Sequence, residues 1–367
     1  MRNDLWRLIN DIYYGALKLS EPDENTVFIV RDQYNEIAVE LKRKAEKEKM
    51  LPFVAHFLVK CGVDIEYWSG VLDSYRERNS RMRKELSDLF AEFNTMGIER
   101  IYPIENFAAL LASGSYIALF ASNDVDLLSC ISAHEEIDRV MRKMGWIPYK
   151  KAEYLGYFYI KENFPIGINL MWQWQSRENV PIRSHFLENI PRTKIRNDIG
   201  GIPCLSNEEL IYQSLVHASV HDYVRAPGIK LLFDIVLLAE QSVDWDRVFQ
   251  FAHDDGYENR IIATLYLAQK LLDANIPLFL VAPNRINRKT DNLLRLVLES
   301  DSDGTKRLRR HIGYLELLQV ESYLDNKFLL KGIMDRLFPP KTWLCDRYGE
   351  NVGISYCKYL ASIIKPR

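Results

Sequence analysis

Apolar residues recur at helical spacing along most of the chain, and that rhythm breaks clearly once, just after Gly97. A short amphipathic segment in residues 1–30 precedes the turn-rich Glu21-Pro22-Asp23-Glu24-Asn25, and from Asp32 the pattern predicts helix through Ile37, Val39 and Leu41. A charged run, Lys42 to Lys49, leads into Leu51-Pro52-Phe53, where Pro52 suits the first turn of a helix ending at Gly62. Residues 66–96 predict a long helix with Leu72, Tyr75, Met82, Leu86, Leu89, Phe90 and Phe93 on its apolar stripe. Its basic run, Arg76 to Lys84, reads as a solvated face or as a phosphate or nucleic-acid contact.

Beyond Gly97, Ile98 to Ile104 alternates like a strand, Asn106 to Ala112 predicts a short helix, and Val125 to Leu128 a second strand. A helix over Ala133–Trp146 stops at Gly145. Tyr154–Ile160 and Ile166–Trp174 then make a plausible antiparallel pair. Helix resumes at Ser206-Asn207-Glu208-Glu209, a capping box, and Asp244-Trp245-Asp246 opens a further one. The pattern predicts an α+β protein: a small mixed sheet at 98–204, a helical region at 1–97, a helical domain at 205–282 and a helical tail at 283–367.

Composition sharpens this only in part. At 367 residues and 47% hydrophobic content the chain can bury a sizeable core. A net charge of −2, from 48 basic and 50 acidic residues, gives no global signal for nucleic acid or an acidic membrane surface. One basic patch, Lys306 to His311, keeps RNA or DNA as a minor option. Five cysteines without CxxC spacing argue for a reducing compartment, and no run approaches the roughly 20 apolar residues of a membrane span. The expectation is a cytoplasmic protein with no membrane partner.

Three DxD triplets occur, so the pattern alone is weak. Asp244/Asp246 suits a helix start and Asp301/Asp303 a polar turn, leaving Asp124/Asp126 in a strand. Alternation puts both carboxylates on one face of an otherwise apolar element, where like charges are costly without a cation. The pair therefore reads as a divalent-cation site, or else as a strand-end turn or cap. If a metal, oxygen ligands favour Mg2+ or Mn2+, and a nucleoside triphosphate is the natural co-ligand. Gly114-Ser115 offers either a phosphate-cradling turn or an ordinary one. His217 and His221, four apart on a helix, suit a shared ligand or simple packing, and Ala218 after His217 excludes the HExxH pattern.

In order, a long helix closed by Gly97, a strand, the DVDLL of Asp124–Leu128, a strand hairpin, the HxxxH of His217 and His221, Lys230-Leu231-Leu232-Phe233-Asp234 and Asp244-Trp245 resemble the uncharacterised nucleotidyltransferase family of the DNA polymerase beta-like superfamily. The resemblance implies that Asp124 and Asp126 bind magnesium. They would align a triphosphate for attack on its α-phosphorus by an acceptor hydroxyl, the acceptor being a small molecule, a sugar or a peptide. It also implies nucleotide-binding roles around Gly114, Ser115, Asn169 and Lys230, and makes His217, His221 and Asp234 further candidates.

Three positions depart from that family's pattern. Glu105-Asn106 stands where Lys-Gly is usual, and Leu119 to Ser122 lacks the arginine that commonly precedes the acid pair. Asn169 stands where a third carboxylate belongs; Glu105, Glu153 or Glu162 are alternative acids, and Lys230 or Arg196 would steady phosphates. Two expectations follow: an active nucleotidyltransferase with an atypical site, or a divergent member that binds nucleotide, peptide or protein as a scaffold.

Overall fold

The computed structural model describes residues 2–18, 20–114, 116–152, 156–172, 196–199, 201–220, 223, 228–302, 323–324, 338–339, 341–349 and 351–364. Four helices lead the chain: α1 (Arg2–Leu17), α2 (Glu24–Lys47), α3 (Leu51–Lys60) and α4 (Ile65–Thr95). Helix α2 starts eight residues before Asp32 because Asp23 caps it, its Oδ1 accepting from Thr26 N–H at 2.9 Å. Pro52 lies in the first turn of α3, where its missing N–H costs nothing. The stripe read on α4 is buried except for the half-buried Tyr75, and it packs on α3 and on a 3-10 turn, Ile117–Leu119.

The sheet follows as β1 (Ile101–Pro103), α5 (Glu105–Ser113), β2 (Asp124–Ser129), α6 (His134–Lys143), β3 (Trp146–Ala152), β4 (Gly156–Lys161) and β5 (Gly167–Met171). Its strand order is β1-β2-β5-β4-β3, with β2 and β5 parallel and the other neighbours antiparallel. This is the small mixed sheet expected. The hairpin of β4 and β5 forms as read, whereas β3 had no clear alternation, since Pro148 and Lys150-Lys151 interrupt it at a register shift. Strands β6 (Arg196–Ile199) and β7 (Ile202–Cys204) form a separate two-stranded ribbon.

Two glycines allow the hairpin to close. Gly156 has φ +145°, and a Cβ there would stand 1.8 Å from the Leu170 carbonyl oxygen. Gly167, register partner of Asp124, lies beneath the Phe158 ring, 2.3 Å from where a Cβ would be.

Helices α7 (Asn207–Val220), α8 (Leu232–Ala239), α9 (Trp245–Asp255), α10 (Glu258–Leu272) and α11 (Arg288–Ser302) come next, with α12 (Lys341–Tyr348) and α13 (Val352–Ile364) in the tail. The capping box forms in both directions: Ser206 N–H donates to Glu209 Oε2 at 3.0 Å, and Glu209 N–H to Ser206 Oγ at 3.3 Å. Asp244 caps α9 by accepting from Arg247 N–H at 3.2 Å. Asp301 is helical rather than part of a turn, while Asp303 lies outside the described residues. Helix α8 is buried over its whole length, which explains its unbroken apolar run. It packs against α5, α7 and α10, so one continuous core joins the sheet to the helices on both sides. Among the described residues, no helix is long and apolar enough to cross a membrane.

Candidate functional site

Strand alternation puts Asp124 and Asp126 on one face of β2, half-buried, while Val125 and Leu127 point into the core on the other. Ser122 Oγ donates to Asp124 Oδ1 at 2.5 Å. Asn169, opposite Asp126 on β5, donates from Nδ2 to Asp126 Oδ1 at 2.7 Å. The amide at the place of a third acid therefore fastens the second one.

The facing wall comes from helices. Ile104 N–H donates to the Asp126 carbonyl oxygen at 3.0 Å, which delivers Glu105, first residue of α5, beside the pair. Glu105 has φ +59°, a left-handed conformation costing a non-glycine residue roughly 1–2 kcal/mol. Its own N–H is held by Gln213 Oε1 of α7 at 3.0 Å. Its carboxyl faces that of Asp126, where the two can be bonded only by sharing a proton, and lies 2.9 Å from His217 Nδ1 on the same α7. Next along, Asn106 Nδ2 donates to Asp234 Oδ1 of α8 at 2.6 Å. Asp234 and Lys230, one turn apart, are both buried.

Acidic charge is thus packed densely and incompletely neutralised. Burial, reinforced by Glu105 and Asp124, pushes Asp126 well above the usual carboxylate range against the pull of Asn169. Burial raises Asp234 to about 6, opposed by Asn106, Lys230 and His217. Burial lowers Lys230 to about 8, opposed chiefly by Asp234. For His217, burial disfavours the charged ring, yet Glu105 and Asp234 outweigh it and the net shift is upward.

A family model for uncharacterised nucleotidyltransferases matches residues 39–273, more than half of the chain. The chain belongs to this family. Comparisons with curated proteins and with solved structures return no match. Every residue of both walls of this nucleotidyltransferase, from Glu105 to Asp234, falls inside the matched stretch.

The candidates from sequence sort plainly against this geometry. Asp124, Asp126, Asn169, His217, Lys230 and Asp234 converge. Gly114 is the left-handed C-cap of α5, its N–H bonded to the Leu110 and Leu111 carbonyls at the negative end of the helix. The Gly114 amide is therefore already used within the helix cap. Ser115, His221 and Glu153 lie outside the described residues, as does the patch Lys306–His311, and the Arg196 side chain is likewise undescribed. Glu162 is exposed in the β4–β5 turn. Gln213 went unread, and Asn106 was read only as a departure. For Asn106 the signal was adjacency, because β1 pairs with β2 and residues just after β1 lie beside the acid pair, whereas Gln213 on α7 had no local signal.

Proposed function

We propose that this nucleotidyltransferase transfers a nucleoside monophosphate from a nucleoside triphosphate to an acceptor hydroxyl at Asp124 and Asp126. The observation that carries the reading is the crowding of Glu105 and Asp124 against Asp126 on one sheet face, a concentration of negative charge that a divalent cation would relieve. The donors are all oxygen, which fits Mg2+ or Mn2+. Among the described residues, no group of three His, Cys, Asp or Glu side chains is arranged as a metal cage. Mg2+ keeps water and substrate phosphate in much of its shell, so one or two carboxylates would suffice to hold it.

Asp124 and Asp126 would hold that ion, whose chemistry is to neutralise phosphate charge in the transition state. The acceptor oxygen forms a bond to the α-phosphorus as the bond to the bridging oxygen breaks. The electron pair leaves with pyrophosphate, and the hydroxyl proton passes to solvent. Ser122 and Asn169 fix the two carboxylates, and the Glu105–His217 pair walls off the far side. Lys230 is close enough to feel the charge of Asp124 and would face substrate phosphate.

The test is a thermal shift with ATP, GTP, CTP and UTP, with and without Mg2+, alongside pyrophosphate release with a panel of small-molecule, sugar and peptide hydroxyl acceptors. A metal-dependent shift and release, both lost in Asp124→Asn and Asp126→Asn, is the expected result. A second reading, a nucleotide-binding scaffold, rests on Asn169 occupying a carboxylate oxygen that a metal would need. It would be favoured by a nucleotide shift without pyrophosphate release. No shift with any nucleotide would overturn both.

A further inference from the structure

The inference concerns how the N-terminal helices meet the site, and it rests on the nucleotidyl-transfer reading above. Arg78 of α4 reaches the loop that runs directly into Asp124. Its Nη2 donates to the Phe120 carbonyl oxygen at 2.7 Å and its Nε to Asn79 Oδ1 at 2.9 Å. Asn79, fully buried, fastens the same loop by donating to the carbonyls of Ile117 at 2.7 Å and Phe120 at 2.9 Å. Arg78 is half-buried and stacked over Tyr75, its guanidinium 4.6 Å from the ring centre. Among the described residues it has no carboxylate partner, and its Nη1 donates to nothing.

Lys230 is 93% buried and, among the described residues, makes no hydrogen bond or direct ion pair; its Nζ lies 5.6 Å from the centre of the Phe53 ring of α3, and Asp234 is its strongest charged neighbour. Phe53 meets Phe233 edge-on at 4.8 Å, which locks α3 to α8 at this point. Lys49, just ahead of α3, has φ +55° and, like Arg78, is near enough to repel Lys230. Arg78 and Lys49 thus lie within electrostatic reach of Lys230, Lys230 within reach of Asp124, and Arg78 is bonded to the loop that ends at Asp124. A buried ammonium whose acidic neighbours, Asp234 and Asp124, make no direct ion pair with it among the described residues, and a half-buried guanidinium with no carboxylate partner, are costly unless a further anion joins them. The loop they flank lacks an arginine of its own, from Leu119 to Ser122.

We propose that Arg78 and Lys230, with Lys49 at the rim, form a polyphosphate subsite that grips the β- and γ-phosphates of the triphosphate. The N-terminal helical region is then part of the active site and not an appendage to it. Arg78 offers a planar fork to phosphate oxygens and Lys230 a point charge. The bonds from Arg78 and Asn79 to the Phe120 carbonyl fix the fork relative to Asp124.

The experiment uses the full chain, with calorimetric titration of inorganic tripolyphosphate, each nucleoside triphosphate and each nucleoside, in Mg2+. Variants are Arg78→Ala, Arg78→Gln, which keeps a donor for the Phe120 carbonyl, and Lys230→Met, with circular dichroism confirming the fold. The expected result is a loss of about tenfold or more in tripolyphosphate and triphosphate affinity for Arg78→Gln and Lys230→Met. Nucleoside binding should stay unchanged and the salt dependence should become shallower. Folded Arg78→Gln binding tripolyphosphate as tightly as the unaltered chain overturns the subsite while leaving nucleotidyl transfer standing. An unaltered chain that binds tripolyphosphate through Arg78 but releases no pyrophosphate from any nucleotide would keep the subsite and sink the transfer reading. If the unaltered chain binds no polyphosphate, the subsite falls.

Discussion

On the sheet side of the site, Asp124, Asp126 and Asn169 come from two neighbouring parallel strands, and each carboxylate is fixed by one short hydrogen bond. On the helical side, Glu105, His217, Lys230 and Asp234 come from α5, α7, a 3-10 turn and α8, and are positioned by one another. Backbone geometry fixes the first wall and electrostatics the second. Changes to the sheet wall should therefore alter chemistry or break the ladder outright. Changes to the helical wall should show mainly in how stability depends on pH.

The largest expected break is Asp126→Asn. On the proposed transfer reading, activity should fall by about 10³-fold, because the charge that would hold the cation beside the phosphate is lost. Stability in the absence of metal should hold or rise, since Asp126 is a carboxylate crowded by two others. Pyrophosphate release and thermal melting, measured on the same preparation, separate the two effects; a variant that loses both together would make the pair structural. Gly156→Ala is the corresponding break in the ladder. A Cβ at 1.8 Å from the Leu170 carbonyl forces β4 away from β5, for a loss of about 3 kcal/mol in urea unfolding.

The helical wall is tested through Asp234. Burial raises its carboxyl from an ordinary 3.8 to about 6, so the folded chain holds that proton more tightly than the unfolded chain does. Its stabilising contribution is complete below about pH 4 and is lost as pH rises through about 6, a change of about 3 kcal/mol at most. Lys230 runs in the opposite sense: lowered from 10.5 to about 8, its contribution is present above the ordinary value and lost as pH falls through about 8. Denaturant midpoints from pH 4 to 7 should decline in the unaltered chain, and Asp234→Asn should flatten that decline. An equal slope in the variant would mean that other groups set it.

The contrast between the walls also explains what was legible in the sequence. Asp124-Val125-Asp126 within Leu127-Leu128 announces a strand with one acidic face, and the capping box and Pro52 mark helix starts through local hydrogen bonds alone. Strand β3 was not legible because Pro148 and two lysines break its alternation, and its pairing with β4 is a tertiary event. Glu105 was legible as an alternative acid and Asn106 only as a departure from the family's pattern; their contacts with His217 and Asp234 join residues more than a hundred positions apart. The C-cap role of Gly114 was not legible, because Gly-Ser suits many turns and only the hydrogen bonds of α5 reveal it.

The finest comparison is Asn169→Asp, which alters one atom type on the sheet wall and leaves the helical wall untouched. In the unaltered chain the Asn169 amide donates to Asp126 and partly offsets the repulsion that Glu105 and Asp124 impose. An aspartate there removes the donor and adds a fourth carboxylate, so without metal the variant should lose about 1–2 kcal/mol. With Mg2+ or Mn2+ the same carboxylate becomes a ligand, and metal affinity should rise about tenfold. The variant should therefore melt below the unaltered chain in chelator and approach or exceed it in saturating metal. Melting curves across a metal titration read this crossing directly. A variant destabilised equally with and without metal would mean that no cation sits between β2 and β5, and that Asn169 serves only to hold Asp126 in place.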